Sequence, residues 1–314
     1  LIAAFDRRRL PPPPTAGRVV TIGVFDGVHV GHAAILATTA EQARAAGGEA
    51  AVVTFRRHPK TLLAGSSPPL ITSLEHRLAL FERHGVDLAL ALAFDEEIRD
   101  TSAEDFLRKI VRDELGGRAL VLGPDSRFGK GRRGDAELAK SLGFPVTVVS
   151  PVLVGGARAS SGVVRKAIAE GRLDDAAALL GRQPSLLGTV VHGDGRGRSI
   201  GFATANLDLH HELKPPRGVY AGAVELEGCL RAAVLNLGVR PTVDGTRETV
   251  EVHVSGWSRD LYGSHLEVFL FGKLRDEKRF DSLDALRAQI ARDAAVAESV
   301  FAKRRESLAA RPAD

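Results

Sequence analysis

The stretch Thr21-Ile22-Gly23-Val24-Phe25-Asp26-Gly27-Val28-His29-Val30-Gly31-His32 joins an apolar, β-branched run to a helical one through three glycines and two histidines. A strand, a glycine-bearing turn and a helix in that order make a phosphate site in an open parallel sheet. Ligands there sit beyond the carboxyl ends of the strands, and the amides of a helix start face the anion. His29 and His32 stand at that site. Two imidazoles so placed can donate hydrogen bonds to phosphoryl oxygens while a nucleophile attacks the α-phosphorus of a nucleotide and pyrophosphate leaves. A pair of loop histidines without chemistry fits the same letters. A metal pair three residues apart fits less well, because no nearby thiolate or carboxylate cluster completes a ligand set.

On either side of this stretch the first 180 or so residues alternate short apolar runs with amphipathic ones, a βαβ pattern. Residues 19–25, 50–55, 88–94, 119–122 and 145–149 are apolar along their whole length, as strands covered on both faces must be, so a parallel sheet is expected. Thr72-Ser73-Leu74-Glu75 and Thr101-Ser102-Ala103-Glu104 have the spacing of capping boxes, and Gly116-Gly117 is expected to stop the second of those helices. From about residue 186 the texture changes to alternating strands and glycine-rich turns, closing with a helical pattern from residue 283 to beyond 297. This predicts a small antiparallel barrel with a terminal helix. The boundary is expected near 181–185, giving domains 1–182 and 183–314.

Composition bounds the remaining classes. With 314 residues, two domains of ordinary size are the natural expectation. No apolar run approaches the ~18 residues that a membrane-spanning helix requires. Arg7-Arg8-Arg9 followed by four prolines lacks the apolar core of a secretory signal, and a single cysteine, Cys229, builds neither an internal disulfide nor a thiolate metal site. A cytoplasmic location is expected, with no membrane partner. The chain has no methionine, so the numbering is expected to begin after missing residues. A net charge of +4 from 43 basic and 39 acidic residues is a weak field, and aromatics at 5% do not interleave with the basic runs as in RNA-reading modules. A polyphosphate substrate accounts for the same basic balance, and no nucleic-acid partner is expected.

The second half carries Gly193-Asp194-Gly195-Arg196-Gly197-Arg198-Ser199-Ile200-Gly201-Phe202-Ala203-Thr204-Ala205-Asn206. It lacks the lysine and following hydroxyl of a Walker loop, yet its four glycines allow a backbone nest around phosphate, with Thr204 and Asn206 offering oxygen ligands to Mg²⁺. A plain glycine-rich hairpin is the alternative. Thr249-Val250-Glu251-Val252-His253-Val254 alternates, so the valines face one side of a strand while Glu251 and His253 face the other. By pattern alone Glu251 is an exposed strand carboxylate.

As a set these blocks resemble a known family, from about residue 19 to 297. The stretch from Thr21 to His32 is similar to the signature of nucleotidylyltransferases with a histidine-x-glycine-histidine motif, specifically the bacterial bifunctional FAD synthetases. Gly123-Pro124-Asp125-Ser126-Arg127-Phe128-Gly129-Lys130-Gly131-Arg132 resembles that family's flavin and nucleotide loop, and Ser160-Ser161-Gly162-Val163-Val164-Arg165 its segment contacting ATP phosphates. The glycine-rich block, Thr204-Ala205-Asn206, Asn236-Leu237-Gly238-Val239-Arg240-Pro241-Thr242, the strand with Glu251 and Asp260-Leu261-Tyr262-Gly263 resemble riboflavin kinases in order.

The resemblance implies a Rossmann-like nucleotidylyltransferase domain with a parallel sheet, followed by a six-stranded antiparallel β-barrel with a terminal helix. By that resemblance the barrel is expected to convert riboflavin and ATP to FMN, and the first domain FMN and ATP to FAD and pyrophosphate, with Mg²⁺ as cofactor. In the first domain it implies His29 and His32 as catalytic groups, Gly23, Phe25, Gly31, Ser160, Ser161 and Arg165 around the nucleotide, and Asp125 and Arg127 at the flavin. In the second it implies Gly193, Gly195, Gly197, Gly201, Thr204 and Asn206 around ATP and its metal. By the same resemblance Glu251 is the expected base for the ribityl hydroxyl proton, and Arg275 is expected to close over the flavin or nucleotide. The family has proline at Ala203 and at Arg57, threonine at Gly162 and an aromatic at Ser126. Those departures keep open a flavin- or nucleotide-binding regulator that retains both folds, and the basic arms keep open RNA binding. Oligomeric state is not legible.

Overall fold

The computed structural model describes residues 1–57, 68–192, 202–210, 213–242 and 245–309. The chain forms two compact units, Leu1–Leu70 with Leu74–Ser161, and Ile71–Ser73 with Gly162–Asp314.

The first unit is built on a six-stranded, all-parallel sheet in the order β1-β4-β3-β2-β5-β6. Its strands are β1 (Ile2–Ala4), β2 (Arg18–Ile22), β3 (Glu49–Phe55), β4 (Leu88–Leu92), β5 (Gly117–Leu122) and β6 (Val146–Val148). The sheet is covered on both faces, as the unbroken apolar strands require: every residue of β2 and β4 is buried. On one face, α1 (Val30–Ala45) packs Leu36, Ala40 and Ala43 down. On the other lie Phe106, Leu107, Ile110 and Val111. They project from a π-helical stretch, Phe106–Glu114, whose wider winding shows in the bond from Leu115 N–H to Ile110 O. Gly116 (φ 64) ends that helix as expected. The five strands expected from apolar runs are all present, and β1 is an additional edge strand. The capping of the second helix differs from expectation by one residue: Ser102, not Thr101, accepts from the N–H of Asp105 (3.0 Å), while Thr101 donates to Glu97 O (2.7 Å). Adjacent hydroxyls compete for the cap, and the backbone register chooses.

β2 lies at the centre of the sheet, and β3 and β5 leave it on opposite sides, so the switch point falls at its carboxyl end. A small hairpin, β7 (Leu153–Val154) and β8 (Ala157–Arg158), turns through Gly155 (φ 58) and Gly156 (φ 80), the positive angles of a type I′ turn.

The second unit is a closed barrel in the order β10-β13-β12-β11-β14-β9. Its strands are β9 (Ser185–Val191), β10 (Thr204–Leu209), β11 (Gly218–Leu226), β12 (Cys229–Thr242), β13 (Gly245–Val254) and β14 (His265–Arg275), with every pair antiparallel. Leu207, Leu235, Val250, Val252, Val254 and Leu266 are among the residues that fill it. A long terminal helix (Leu283–Ala309) seats Ala297, Val300 and Phe301 on the outer face, over Val219, Ala221, Phe269 and Phe271. Two shorter helices, Ser161–Ala169 and Leu173–Leu180, precede the barrel. Leu173 joins the barrel's own core, and Asp174 pairs with Arg304 of the terminal helix at 2.8 Å.

Candidate active sites

The turn after β2 is held in a backbone that its side chains disfavour. Phe25 (φ 54) and Val28 (φ 40) are left-handed without being glycine, flanking Gly27 (φ 79). Such residues persist only where the surroundings over-determine them, and they cluster at functional sites. Burial supplies that constraint. Phe25 is 3% exposed and Val28 1%, and the Phe25 ring packs edge-on against Phe81 (5.7 Å) and His32 (5.1 Å). Ser161 donates from its hydroxyl to Asp26 O at 2.9 Å, fixing the turn's middle.

His29 occupies the N-cap of α1, where its Nδ1 accepts the His32 N–H at 3.4 Å. That contact leaves Nε2 as the donor of the neutral ring. The two imidazoles stack, with centroids 3.7 Å apart and planes 20° from parallel. Gly31 lies close under the His29 ring: a Cβ there would lie 3.2 Å from it, so the ring would have to give way by a few tenths of an ångström.

Two cavities meet at the end of β2. The first, about 490 Å³, is the more polar of the two and brings together Gly23, Phe25, His29, Gly31, His32, Asp125, Arg127 and Ser160. These come from three blocks far apart in sequence. The second, about 430 Å³, is lined by Phe55, Phe94, Phe106 and Phe128 and shares Ile22, Gly23, Val24, Arg127 and Arg132 with the first. Asp125 is ion-paired to Arg158 of the small hairpin, and Arg127 donates to Ser126 O at 2.9 Å. Ser126 accepts the N–H of Gly123 at 3.0 Å and shapes the loop. Ser161 opens its helix and Arg165 stands one turn further along it.

Sequence reasoning missed Arg77. It is wholly buried and donates to Val24 O (2.7 Å), Thr54 Oγ1 (3.1 Å) and Phe55 O (3.0 Å), tying the ends of β2 and β3 together beneath both cavities. Burial lowers its pKa from the ordinary value, while the charges of Asp26 and Glu75 pull the other way. Its only sequence signal is an arginine amid the apolar spacing of a helix.

In the barrel, strand register makes the site. Asn206 of β10 stands opposite Glu251 of β13, and Glu251 opposite Asn236 of β12. Val250, Val252 and Val254 point into the barrel, so Glu251 lies on the outer face with its cross-strand partners. Thr204, two residues before Asn206 and on the same face, pairs with His253. The ring of His253 in turn bonds Ala203 O at 2.9 Å. The row continues through Val219 to Arg275. Arg275 is engaged by the terminal helix: Nε and Nη2 reach the buried carboxylate of Asp293 at 3.0 and 2.8 Å, and Gln289 steadies that carboxylate at 2.8 Å. Gly193, Gly195, Gly197 and Gly201 lie outside the described residues. Among the described residues, no group of three or more His, Cys, Asp or Glu side chains could hold a metal ion, and no helix is long and apolar enough to cross a membrane.

A switch-point cleft with paired histidines, followed by a closed barrel that aligns Asn206, Glu251 and Asn236 on its outer face, is the architecture of a two-fold transferase. The FAD synthetase family model matches residues 12–163 and the riboflavin kinase family model residues 180–301. The bifunctional riboflavin kinase/FMN adenylyltransferase of Escherichia coli K12 is 41% identical over 93% of this chain and 95% of its own length. That of Pseudomonas fluorescens is 39% identical over 92% and 95%. A crystal structure described as a macrolide-efflux protein of Streptococcus pneumoniae superposes with a TM-score of 0.80 at 30% identity, over 95% of this chain and 98% of that one. The chain belongs to the family of bifunctional riboflavin kinase/FMN adenylyltransferases.

The close approach at Gly31 yields a first prediction. Gly31→Ala displaces the His29 ring and is expected to lower FAD formation by about 10-fold to 10²-fold, the cost of misplacing a reacting group by an ångström or less. Steady-state assay of FAD from supplied FMN, with circular dichroism as the folding control, checks it. Activity at the parent level means that the ring has room to shift.

Proposed function

We propose that the two reactions run at two separate sites, with the roles divided as follows. In the first unit, ATP lies in the polar cleft and the flavin ring in the phenylalanine-lined cavity, with Asp125 and Arg127 at the flavin end. The FMN phosphate oxygen attacks the α-phosphorus and the bond to the β-phosphate breaks. His29 and His32 donate to the charge that develops, and Ser160, Ser161 and Arg165 bind and order the phosphates. The observation that carries this reading is the meeting, at the end of β2, of a histidine-bearing cavity and a less polar, phenylalanine-lined one. A flavin ring and a triphosphate need those two chemistries side by side.

In the barrel, Glu251 accepts the proton of the terminal ribityl hydroxyl as that oxygen attacks the γ-phosphorus. Thr204 and Asn206 offer a hydroxyl and an amide carbonyl beside the Glu251 carboxylate, an all-oxygen set that suits Mg²⁺, which takes one or two protein ligands and keeps phosphate and water for the rest. Bound there, Mg²⁺ neutralises phosphate charge. Gly193, Gly195, Gly197 and Gly201 wrap the ATP phosphates. Arg275, anchored through Asp293, closes the flavin end of the row. ATP, riboflavin and FMN are the partners this requires, and the cytoplasm is the compartment that supplies ATP.

Purified protein incubated with riboflavin, ATP and Mg²⁺ should yield FMN and then FAD; binding without turnover identifies the regulator instead. Division into 1–182 and 183–314 is tested by fragments. Residues 1–182 should convert FMN to FAD, and 183–314 should convert riboflavin to FMN. The shorter barrel lacks Leu173, so it should be less stable than 162–314 by about 2–5 kcal/mol, the cost of emptying a buried leucine site. If neither folded fragment works until the two are mixed, the sites are not separate.

A further inference from the structure

The loop from Phe128 to Gly134 closes on itself. Phe128 N–H donates to Gly134 O (3.1 Å) and Gly134 N–H to Phe128 O (2.9 Å), while Lys130 N–H ties the far side to Thr101 O (2.8 Å). Within this ring Gly129 (φ 70), Gly131 (φ 64) and Arg132 (φ 59) are left-handed. Glycine adopts that conformation freely, whereas at an arginine the Cβ crowds the following carbonyl. The ring imposes the strain. Gly129 sits so tightly that a Cβ would lie 2.5 Å from Ala103 Cα, and Arg132 N–H is drawn back to Gly129 O at 3.0 Å.

What the strain achieves is a position. Arg132 lines both the histidine cleft and the phenylalanine cavity. The three other guanidiniums on those walls have partners in the protein: Arg99 donates to Asp100 at 2.7 Å, Arg127 to Ser126 O, and Arg158 is ion-paired to Asp125. Among the described residues no hydrogen bond or ion pair engages the Arg132 guanidinium, and it is exposed. A strained backbone that delivers an unengaged cation to the junction of two cavities has the form of a ligand clamp.

We propose that Arg132 receives the phosphate of the flavin nucleotide, holding it where the two cavities join and where its oxygen attacks the α-phosphorus of ATP. In that step the new bond runs from the flavin phosphate oxygen to the α-phosphorus, and the electron pair of the broken bond leaves with pyrophosphate. The guanidinium gives up no proton. Its planar fork matches two phosphate oxygens, and its rigid loop holds it before substrate arrives. This inference rests on the adenylylation site proposed above.

Arg132→Gly separates the role from the strain, because glycine accepts the left-handed backbone and removes only the side chain. The thermal midpoint should stay or rise, while the KM for FMN in FAD formation rises by about 10-fold or more, as for loss of one charge-assisted pair. The KM for ATP and the riboflavin kinase rate should stay at the parent values. Arg132→Lys, which keeps the charge and loses the fork, should fall between. An unchanged KM for FMN, or a rise confined to ATP, overturns the assignment. His32→Ala is measured alongside: if it is impaired and Arg132→Gly is not, only the role of Arg132 fails. If neither variant is impaired, the adenylylation site itself has been misplaced.

Discussion

Glu251→Gln should lower riboflavin phosphorylation by about 10²-fold to 10⁴-fold, the usual contribution of a positioned proton acceptor. Adenylylation of supplied FMN should continue at the parent rate. The substitution keeps shape and hydrogen-bonding capacity and removes only the basic oxygen. Glu251 lies on the outer face, away from Val250 and Val252, so the barrel core is untouched and the thermal midpoint should not move. Single-turnover formation of FMN is the measurement, because it isolates the chemical step from product release. A variant that phosphorylates riboflavin at the parent rate removes Glu251 from the role of base. A higher KM for ATP at constant kcat would make the residue a metal or nucleotide contact, in keeping with its place opposite Asn206.

The mirror expectation concerns the histidine pair. His29→Ala and His32→Ala should each depress FAD formation by about 10²-fold to 10³-fold, as removal of one transition-state donor typically does, and leave FMN formation intact. The two variants differ in stability. His29 also caps α1, so its replacement by alanine should cost about 0.5–2 kcal/mol of folding stability, whereas loss of His32 should not expose that cap. His29→Asn restores a good capping oxygen without the imidazole. It should recover the thermal midpoint and not the FAD activity. Recovery of both would show that His29 matters as a cap alone, and equal loss in the two reactions would point to a shared site.

Local pattern was sufficient where the governing forces are local. Residues 50–55 and 88–94 are apolar throughout because strands buried on both faces have no polar side, and they appear as β3 and β4. The alternation Val250, Glu251, Val252, His253, Val254 reports a strand with one face in the barrel, which places Glu251 outside before any coordinates are known. Glycines after β2 marked a sharp strand-to-helix turn, and the chain turns there through Gly27 (φ 79) into α1. By contrast, β1 has only three residues and no pattern of its own; pairing with β4 alone makes it a strand. Leu173 opens the alanine-rich helix Leu173–Leu180 with no pattern that assigns it to either unit, and only its burial in the barrel core shows which one it stabilises.

The chain order and residue types therefore determined the two fold classes, the switch-point loop with His29 and His32, and the strand bearing Glu251, since periodicity and turn chemistry act over a few residues. Only the tertiary structure decided that Phe55, Phe94, Phe106 and Phe128 would share one cavity. It also decided that Arg77 would lie beneath the cavities, tied to Val24 and Phe55, and that Phe25, Val28 and Arg132 would take left-handed backbones. Those are effects of packing between distant segments: burial and closed hydrogen-bonded loops outweigh the small conformational preferences of single residues, and no local spacing records them.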